Sequence, residues 1–326
     1  MKKILLATVA VVILASCSNN ESEILKKPTN EIKFSNLNNK VTRVANDSSD
    51  DFQVYSKLTT GATAWYIDDV VDGTSPYLAQ SGPYYWPAGT ETLDFYAYAP
   101  AGSGTVTDSY STPSLGIVYT VPSAANEDFT VAGPEIGLDK TAGSGTGTVE
   151  FVFFHMLSKV TIELELDATD LAAYTLDLTS ATATFNVAYN EGQLDATLFN
   201  PATPDVTFTS PTASGTASYS GALNGGYSCM IMPQAATALT TSILLENVII
   251  KKGTTVIFDN TYGDLSYEFD GSEISAGFKG GTHYTITITI KNDSHDDDGD
   301  EIFGPEIKFS ATTTPWTPTS IGINLP

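Results

Sequence analysis

The chain has 326 residues, 38 of them acidic and 15 basic, for a formal charge of −23 at neutral pH. So acidic a balance argues against nucleic acid as a partner, because phosphates are held by clustered Lys and Arg. A hydrophobic fraction of 41% supports a sizeable core, and the abundant Gly and Tyr with only 16% charged residues suit short strands joined by tight turns.

The amino terminus opens Met1-Lys2-Lys3, continues with an apolar run from Ile4 to Ala15, and reaches Leu14-Ala15-Ser16-Cys17 before the polar stretch Ser18-Asn19-Asn20-Glu21. A spanning helix needs ~20 apolar residues, and this run is shorter, so residues 1–16 read as a secretory signal. Leu-Ala-Ser-Cys resembles a bacterial lipobox. The resemblance implies diacylglyceryl transfer to the Cys17 thiol, further acylation (palmitate) of the new amino terminus, and an outer-membrane precursor handled by the lipoprotein acylation and export machinery. Several acyl chains, at ~0.8 kcal/mol per buried methylene, hold a protein to a bilayer where a single chain does not. Once Cys17 is acylated only Cys229 remains, which reads as a small buried side chain without a disulfide partner.

Residues 17–43 form the expected acylated propeptide. It contains Glu31-Ile32-Lys33-Phe34-Ser35, a short amphipathic strand with Ile32 and Phe34 on one face. It ends at Arg43, the one arginine of the chain, inside the polar, loop-like stretch from Asn38 to Asp51. Such stretches are where proteolytic nicking concentrates, so the Arg43–Val44 bond is a candidate cleavage site. The plainer reading of Arg43 is an ordinary solvated side chain.

Beyond it, period-two stretches recur: Phe52–Tyr55, Leu93–Tyr98, Val149–Phe153, Lys159–Leu166, Ala181–Val187, Ser242–Ile250 and His283–Lys291. Alternation of this kind places one face on a core and one in water. Breakers such as Pro100-Ala101-Gly102-Ser103-Gly104, Gly143–Gly147 and Asn224-Gly225-Gly226 separate them, and no long segment has helical periodicity. The fold class is all-β, with sandwiches expected. A boundary near Asp167–Ala173 divides the mature chain into domains 44–170 and 171–326. The acidic segment 293–301 reads as a solvated connector that sets the tail strand, within 305–326, apart from the body.

Groupings that carry chemistry are sparse. His155, His283 and His295 are dispersed, no HExxH or paired-Cys spacing offers a metal site, and no serine sits in a Gly-x-Ser-x-Gly elbow. Gly143–Gly147 lacks the Lys-Ser/Thr ending of a phosphate cradle and reads as a hairpin turn. Asp296–Glu301 departs from the spacing of calcium loops, so a linker is preferred to a cation site. Tyr84-Tyr85-Trp86 and Trp65-Tyr66 are either platforms for sugars or, the preferred reading, core residues. No cofactor, no metal and no enzyme are expected.

The tail reads Glu306-Ile307-Lys308-Phe309-Ser310, identical to Glu31–Ser35 at the other extreme of the chain. Both segments offer Ile and Phe at alternate positions to one kind of groove while their backbones complete a sheet. A cut after Arg43 would remove the first copy and let a neighbour's second copy replace it, a head-to-tail contact that builds filaments.

Several features, in this order, resemble the FimA/Mfa-like fimbrillins of Bacteroidales, subunits of type V pili. They are the lipobox at Cys17, Thr42-Arg43, Tyr85-Trp86-Pro87 followed by Leu93–Tyr98, Phe154-His155-Met156-Leu157-Ser158-Lys159-Val160, and Pro315-Trp316. The resemblance implies two transthyretin-like β-sandwich domains, cleavage at an arginine by a trypsin-like protease, and polymerisation through a carboxyl-terminal donor strand. Carried onto this sequence, that strand includes Ile307, Phe309, Ala311 and Trp316, and its partners are other fimbrial subunits in the fimbrium at the cell surface. Tip and anchor subunits share the architecture. A surface glycan-binding lipoprotein or a non-polymerising tip adhesin, touching a host or glycan ligand, stands as the alternative.

Overall fold

The computed structural model describes residues 30–36, 50–107, 116–122, 126–169, 171–195, 209–212, 217–234, 242–259, 265–268, 277–290, 294–295, 301–302 and 308–315. The first strands are β1 (Lys33–Asn36), β2 (Phe52–Leu58), β3 (Ile67–Val71) and β4 (Leu93–Ala99). Next come β5 (Gly104–Val106), β6 (Gly116–Thr120) and β7 (Thr130–Leu138), a single helical turn α1 (Ala142–Gly145), then β8 (Thr148–Phe151) and β9 (Phe153–His155). The middle of the chain holds β10 (Ser158–Leu166), β11 (Tyr174–Asp177), β12 (Thr182–Val187) and β13 (Glu191–Asp195), followed by β14 (Thr209–Thr212), β15 (Ala217–Ala222) and β16 (Tyr227–Ile231). The last third holds β17 (Ser242–Glu246), β18 (Ile249–Lys252), β19 (Thr255–Asp259), β20 (Leu265–Glu268) and β21 (Thr282–Ile290). The short pair β22 (Ser294–His295) and β23 (Glu301–Ile302) then precedes β24 (Lys308–Pro315). The protein is all-β, as the alternation predicts.

Strands β3-β2-β4-β7-β9 form a five-stranded antiparallel sheet, and β1 pairs in parallel with β8 beside it. Later strands build β16-β10-β21-β24, β15-β12-β17-β20 and β11-β18-β19. A further sheet, β14-β13-β6-β5, draws strands from both sides of residue 170. Strand β10, which precedes the expected boundary at Asp167–Ala173, has its ladder partners β16 and β21 entirely beyond it.

Two of the alternating stretches behave differently from the expected one-face burial. In β2 and β4, Phe52, Val54, Phe95 and Ala97 join a smaller amino-terminal core, while Tyr55, Tyr96 and Tyr98 on the opposite face join the larger core. This sheet is covered on both sides, so aromatic residues take positions that polar ones hold in half-exposed strands. By contrast, β21 keeps a strict alternation, burying Tyr284, Ile286, Ile288 and Ile290 on its inner face.

Two stretches expected as single strands are each broken in two. Ser242–Ile250 divides into β17 and β18 at Asn247, whose φ of 57° lies in the left-handed region that Asn tolerates. Val149–Phe153 divides at the exposed Val152, so that β8 serves β1 while β9 serves β7. Gly143–Gly147 is not a hairpin turn: it carries the helical turn α1 and ends at Gly147, with φ of 71°.

Candidate functional site

The site is the channel filled by the first strand. Ile32 and Phe34 are each only 5% exposed and belong to the smaller core with Phe52, Val54, Trp86, Phe95, Val149 and Phe151. The Phe34 ring stacks on Phe151, centroids 6.2 Å apart at 8°, and meets Phe95 edge-on at 6.4 Å and 74°. Lys33 is exposed and Ser35 half-buried, so the alternation read from the pentapeptide is realised around a groove lined by rings.

The strand is paired on both sides. On one, the amide of Ile32 donates to the Tyr84 carbonyl at 2.9 Å and that of Trp86 donates to the Asn30 carbonyl at 2.8 Å, bracketing an antiparallel bridge between Glu31 and Tyr85. On the other, the Lys33 amide donates to the Gly147 carbonyl at 3.0 Å, and the parallel ladder continues from Lys33↔Thr148 to Asn36↔Phe151. Residues 30–36 therefore run as an interior strand between a wall at 84–86 and a wall at 147–151. Taking the strand out would leave main-chain groups orphaned along both.

Trp86 ties the two walls together. Its indole N–H donates to the Gly147 carbonyl at 3.3 Å, the same oxygen that receives the Lys33 amide. The ring is 3% exposed and sits edge-on to Phe95. A Cβ on Gly147 would lie 2.9 Å from that indole nitrogen and 3.2 Å from the Glu31 carbonyl, so glycine is required there by crowding as well as by its positive φ.

Of the aromatic residues read as candidate sugar platforms, Trp86 is core and Tyr84 and Trp65 are half-buried. Tyr66 and Tyr85 are each 37% exposed, and the Tyr66 hydroxyl donates to the Tyr85 carbonyl at 2.5 Å. His155 bonds through Nδ1 to the Asp128 carboxylate and pairs with Thr130 across β9 and β7, a structural contact within the sheet.

At the other end, β24 is antiparallel to β21 in register Phe309↔Ile288 and Ala311↔Ile286. The tail is thus not set apart by the acidic segment: β24 is the outer strand of the sheet β16-β10-β21-β24. Cys17, Arg43, Val44, Ile307 and Trp316 lie outside the described residues, as do Asp293 and residues 296–300 of the acidic segment. The structure therefore brings together Ile32, Phe34 and the channel walls. Trp86 and Gly147 are functional candidates that sequence reading did not single out as a pair, because they are far apart in the chain.

Comparison with known proteins agrees with this architecture. Residues 1–18 match the prokaryotic membrane lipoprotein lipid attachment site. Among solved structures, the chain is similar to a candidate cell adhesion protein from Bacteroides uniformis at 20% identity and a TM-score of 0.57, covering 88% of this chain and 99% of that one. It is similar to a fimbrial protein from Bacteroides vulgatus at 15% identity and a TM-score of 0.55, covering 88% and 100%. A third, a candidate cell adhesion protein from Bacteroides ovatus, has 17% identity and a TM-score of 0.50, covering 88% and 97%. No curated protein matches the sequence. The fimbrillin-like family model matches residues 40–316, most of the length, and the chain belongs to that family.

Proposed function

We propose that this protein is a structural pilus subunit, exported as a lipoprotein acylated at Cys17, cut between Arg43 and Val44, and polymerised by strand exchange. The observation that carries the reading is the first strand: buried, paired on both sides, and lying on the Cys17 side of Arg43. One cut would sever the covalent link that joins the body to both its membrane tether and its first strand, so that both leave together when that strand dissociates. The emptied channel would carry apolar rings and unpaired backbone, a strong template for another strand. The carboxyl-terminal tail, with Ile307, Phe309, Ala311 and Trp316, supplies that strand to the next subunit. Because β24 is paired with β21 of its own chain, donation requires those eight residues to leave that ladder.

Limited digestion with an Arg-specific protease tests this, with products followed by gel and electron microscopy. Wild-type protein is expected to give ladders and filaments after cutting, and Arg43→Ala to stay full-length and monomeric. Filaments from uncut Arg43→Ala would overturn the reading. A surface glycan-binding role is the second reading, favoured by the adjacent exposed rings of Tyr66 and Tyr85. Polysaccharide binding abolished by Tyr66→Ala together with Tyr85→Ala would support it.

A further inference from the structure

We infer that the incoming tail strand seats in the direction and register of β1, parallel to β8, with Glu306–Ser310 replacing Glu31–Ser35 position for position. The inference rests on the strand-exchange reading above and adds what that reading leaves open: which way the strand points and which residue meets which.

Three features of the channel support it. The first is the pair of walls. The 84–86 wall meets residues 30–32 through antiparallel bonds, while the 147–151 wall meets residues 33–36 through a parallel ladder. A strand running the other way would meet an antiparallel pattern where the wall is set for a parallel one, and the reverse, with bond spacings that match neither. Only a strand in the direction of β1 finds the Tyr84, Trp86 and Gly147 main-chain groups where they stand.

The second is the shape of the two side-chain positions. The inner position next to Phe151 and Phe95 holds a flat ring, stacked on one and edge-on to the other. In the β1 direction the tail presents Phe309 there and Ile307 at the place of Ile32. Reversed about its central lysine, it would put isoleucine in the ring site and a phenylalanine into the isoleucine site, a cavity at one position and overpacking at the other. A slip of one residue would turn the lysine inward.

The third is the flanking sequence. Pro305 stands where Asn30 stands in the first copy. The contact made by Asn30 to the channel is through its carbonyl, accepting from Trp86, and proline retains a carbonyl while lacking only the N–H.

The direction can be read by disulfide trapping between two full-length chains. The receptor carries Glu150→Cys and is cut at Arg43. The donor carries Arg43→Ala, which keeps its own channel filled, together with either Ser310→Cys or Glu306→Cys. Both chains carry Cys17→Ser, and the native Cys229 is 4% exposed with burial pushing its thiol up to about 12, so it stays out of the exchange. Ser35 lies directly opposite Glu150, which is exposed, so the inferred seating places Ser310 within disulfide reach of residue 150. Glu306 would then lie four residues along the strand, roughly 13 Å away. Under mild oxidation the Ser310→Cys donor should crosslink at least about tenfold more than the Glu306→Cys donor, since a disulfide cannot span that distance. Preference for Glu306→Cys would establish the reversed direction and overturn the inference. Complex formation on a native gel without either crosslink would place the strand in another register, which also overturns it while leaving strand exchange intact. Absence of any complex would overturn the strand-exchange reading and this inference with it.

Discussion

The rings of Phe34 and Phe151 are stacked, their centroids 6.2 Å apart and their planes within 8° of parallel, joining the first strand to the wall it pairs with. Truncating Phe34 to alanine removes this stack and the edge contact to Phe95 from a fully enclosed site. Phe34→Ala in the uncut chain should cost about 3 to 5 kcal/mol, the range of core Phe-to-Ala changes. Denaturant unfolding checks it. A loss below about 1 kcal/mol, within the scatter of surface substitutions, would mean that the strand contributes little to the amino-terminal core.

The Trp86–Gly147 contact predicts a graded pair of effects. Trp86→Phe keeps most of the ring and loses one buried hydrogen bond, for about 1 kcal/mol. Gly147→Ala combines a left-handed backbone, worth roughly 1–2 kcal/mol, with a Cβ pressed against Trp86 and the Glu31 carbonyl, so it should be the more damaging. The same unfolding experiment ranks them. Equal or reversed costs would show that the crowding at Gly147 relaxes freely.

Removal of the tail should be felt along β21. Ending the chain before Glu306 strips the antiparallel partner from Thr282–Thr289, leaving β10 as the remaining neighbour of β21 in that sheet. Amide exchange on the newly exposed side of β21 should accelerate, while the β1–β8 ladder stays protected. Unchanged exchange at β21 would argue that the β24 ladder adds nothing to its stability.

His283 makes stability depend on pH. Burial first, and the Lys159 ammonium second, hold its imidazole below the ordinary value of 6.5, with Glu163 opposing; its Nε2 lies 2.8 Å from the Thr161 hydroxyl. The folded protein therefore binds this proton less readily than the unfolded chain. The contribution of the neutral ring is fully present above the unfolded value and is lost as pH falls through it toward the lower folded value. Melting temperature should decline between about pH 7.5 and 5.5, and His283→Gln should flatten part of that decline. A slope identical in the variant would assign the pH dependence to other groups.

The sequence announced this fold unevenly. Strands β12 and β21 are legible because their alternation is local and one face of each meets a core. The double coverage of β2 and β4 was not legible, because Tyr55, Tyr96 and Tyr98 on the second face look the same in sequence whether that face meets solvent or another layer. Nor were the breaks at Asn247 and Val152, where the apolar pattern continues across the bend and only the destination sheet changes. At the site, Ile32 and Phe34 could be named from their spacing, and the repeated pentapeptide drew attention to both ends. The walls could not: the bond between Trp86 and Gly147 joins residues 61 positions apart, and such a pairing leaves no periodic trace.

The interior position of the first strand also gives a cut at Arg43 a second meaning. Hydrolysis of that peptide bond would remove no hydrogen bond and no ring contact from residues 30–36. It would convert an intramolecular strand into a separate bound peptide, one that has lost the effective concentration its covalent link supplied but still holds both walls. The freed propeptide would then behave as a competitive inhibitor of its own subunit, and its off-rate, rather than the protease, would set how soon a neighbour's strand can bind.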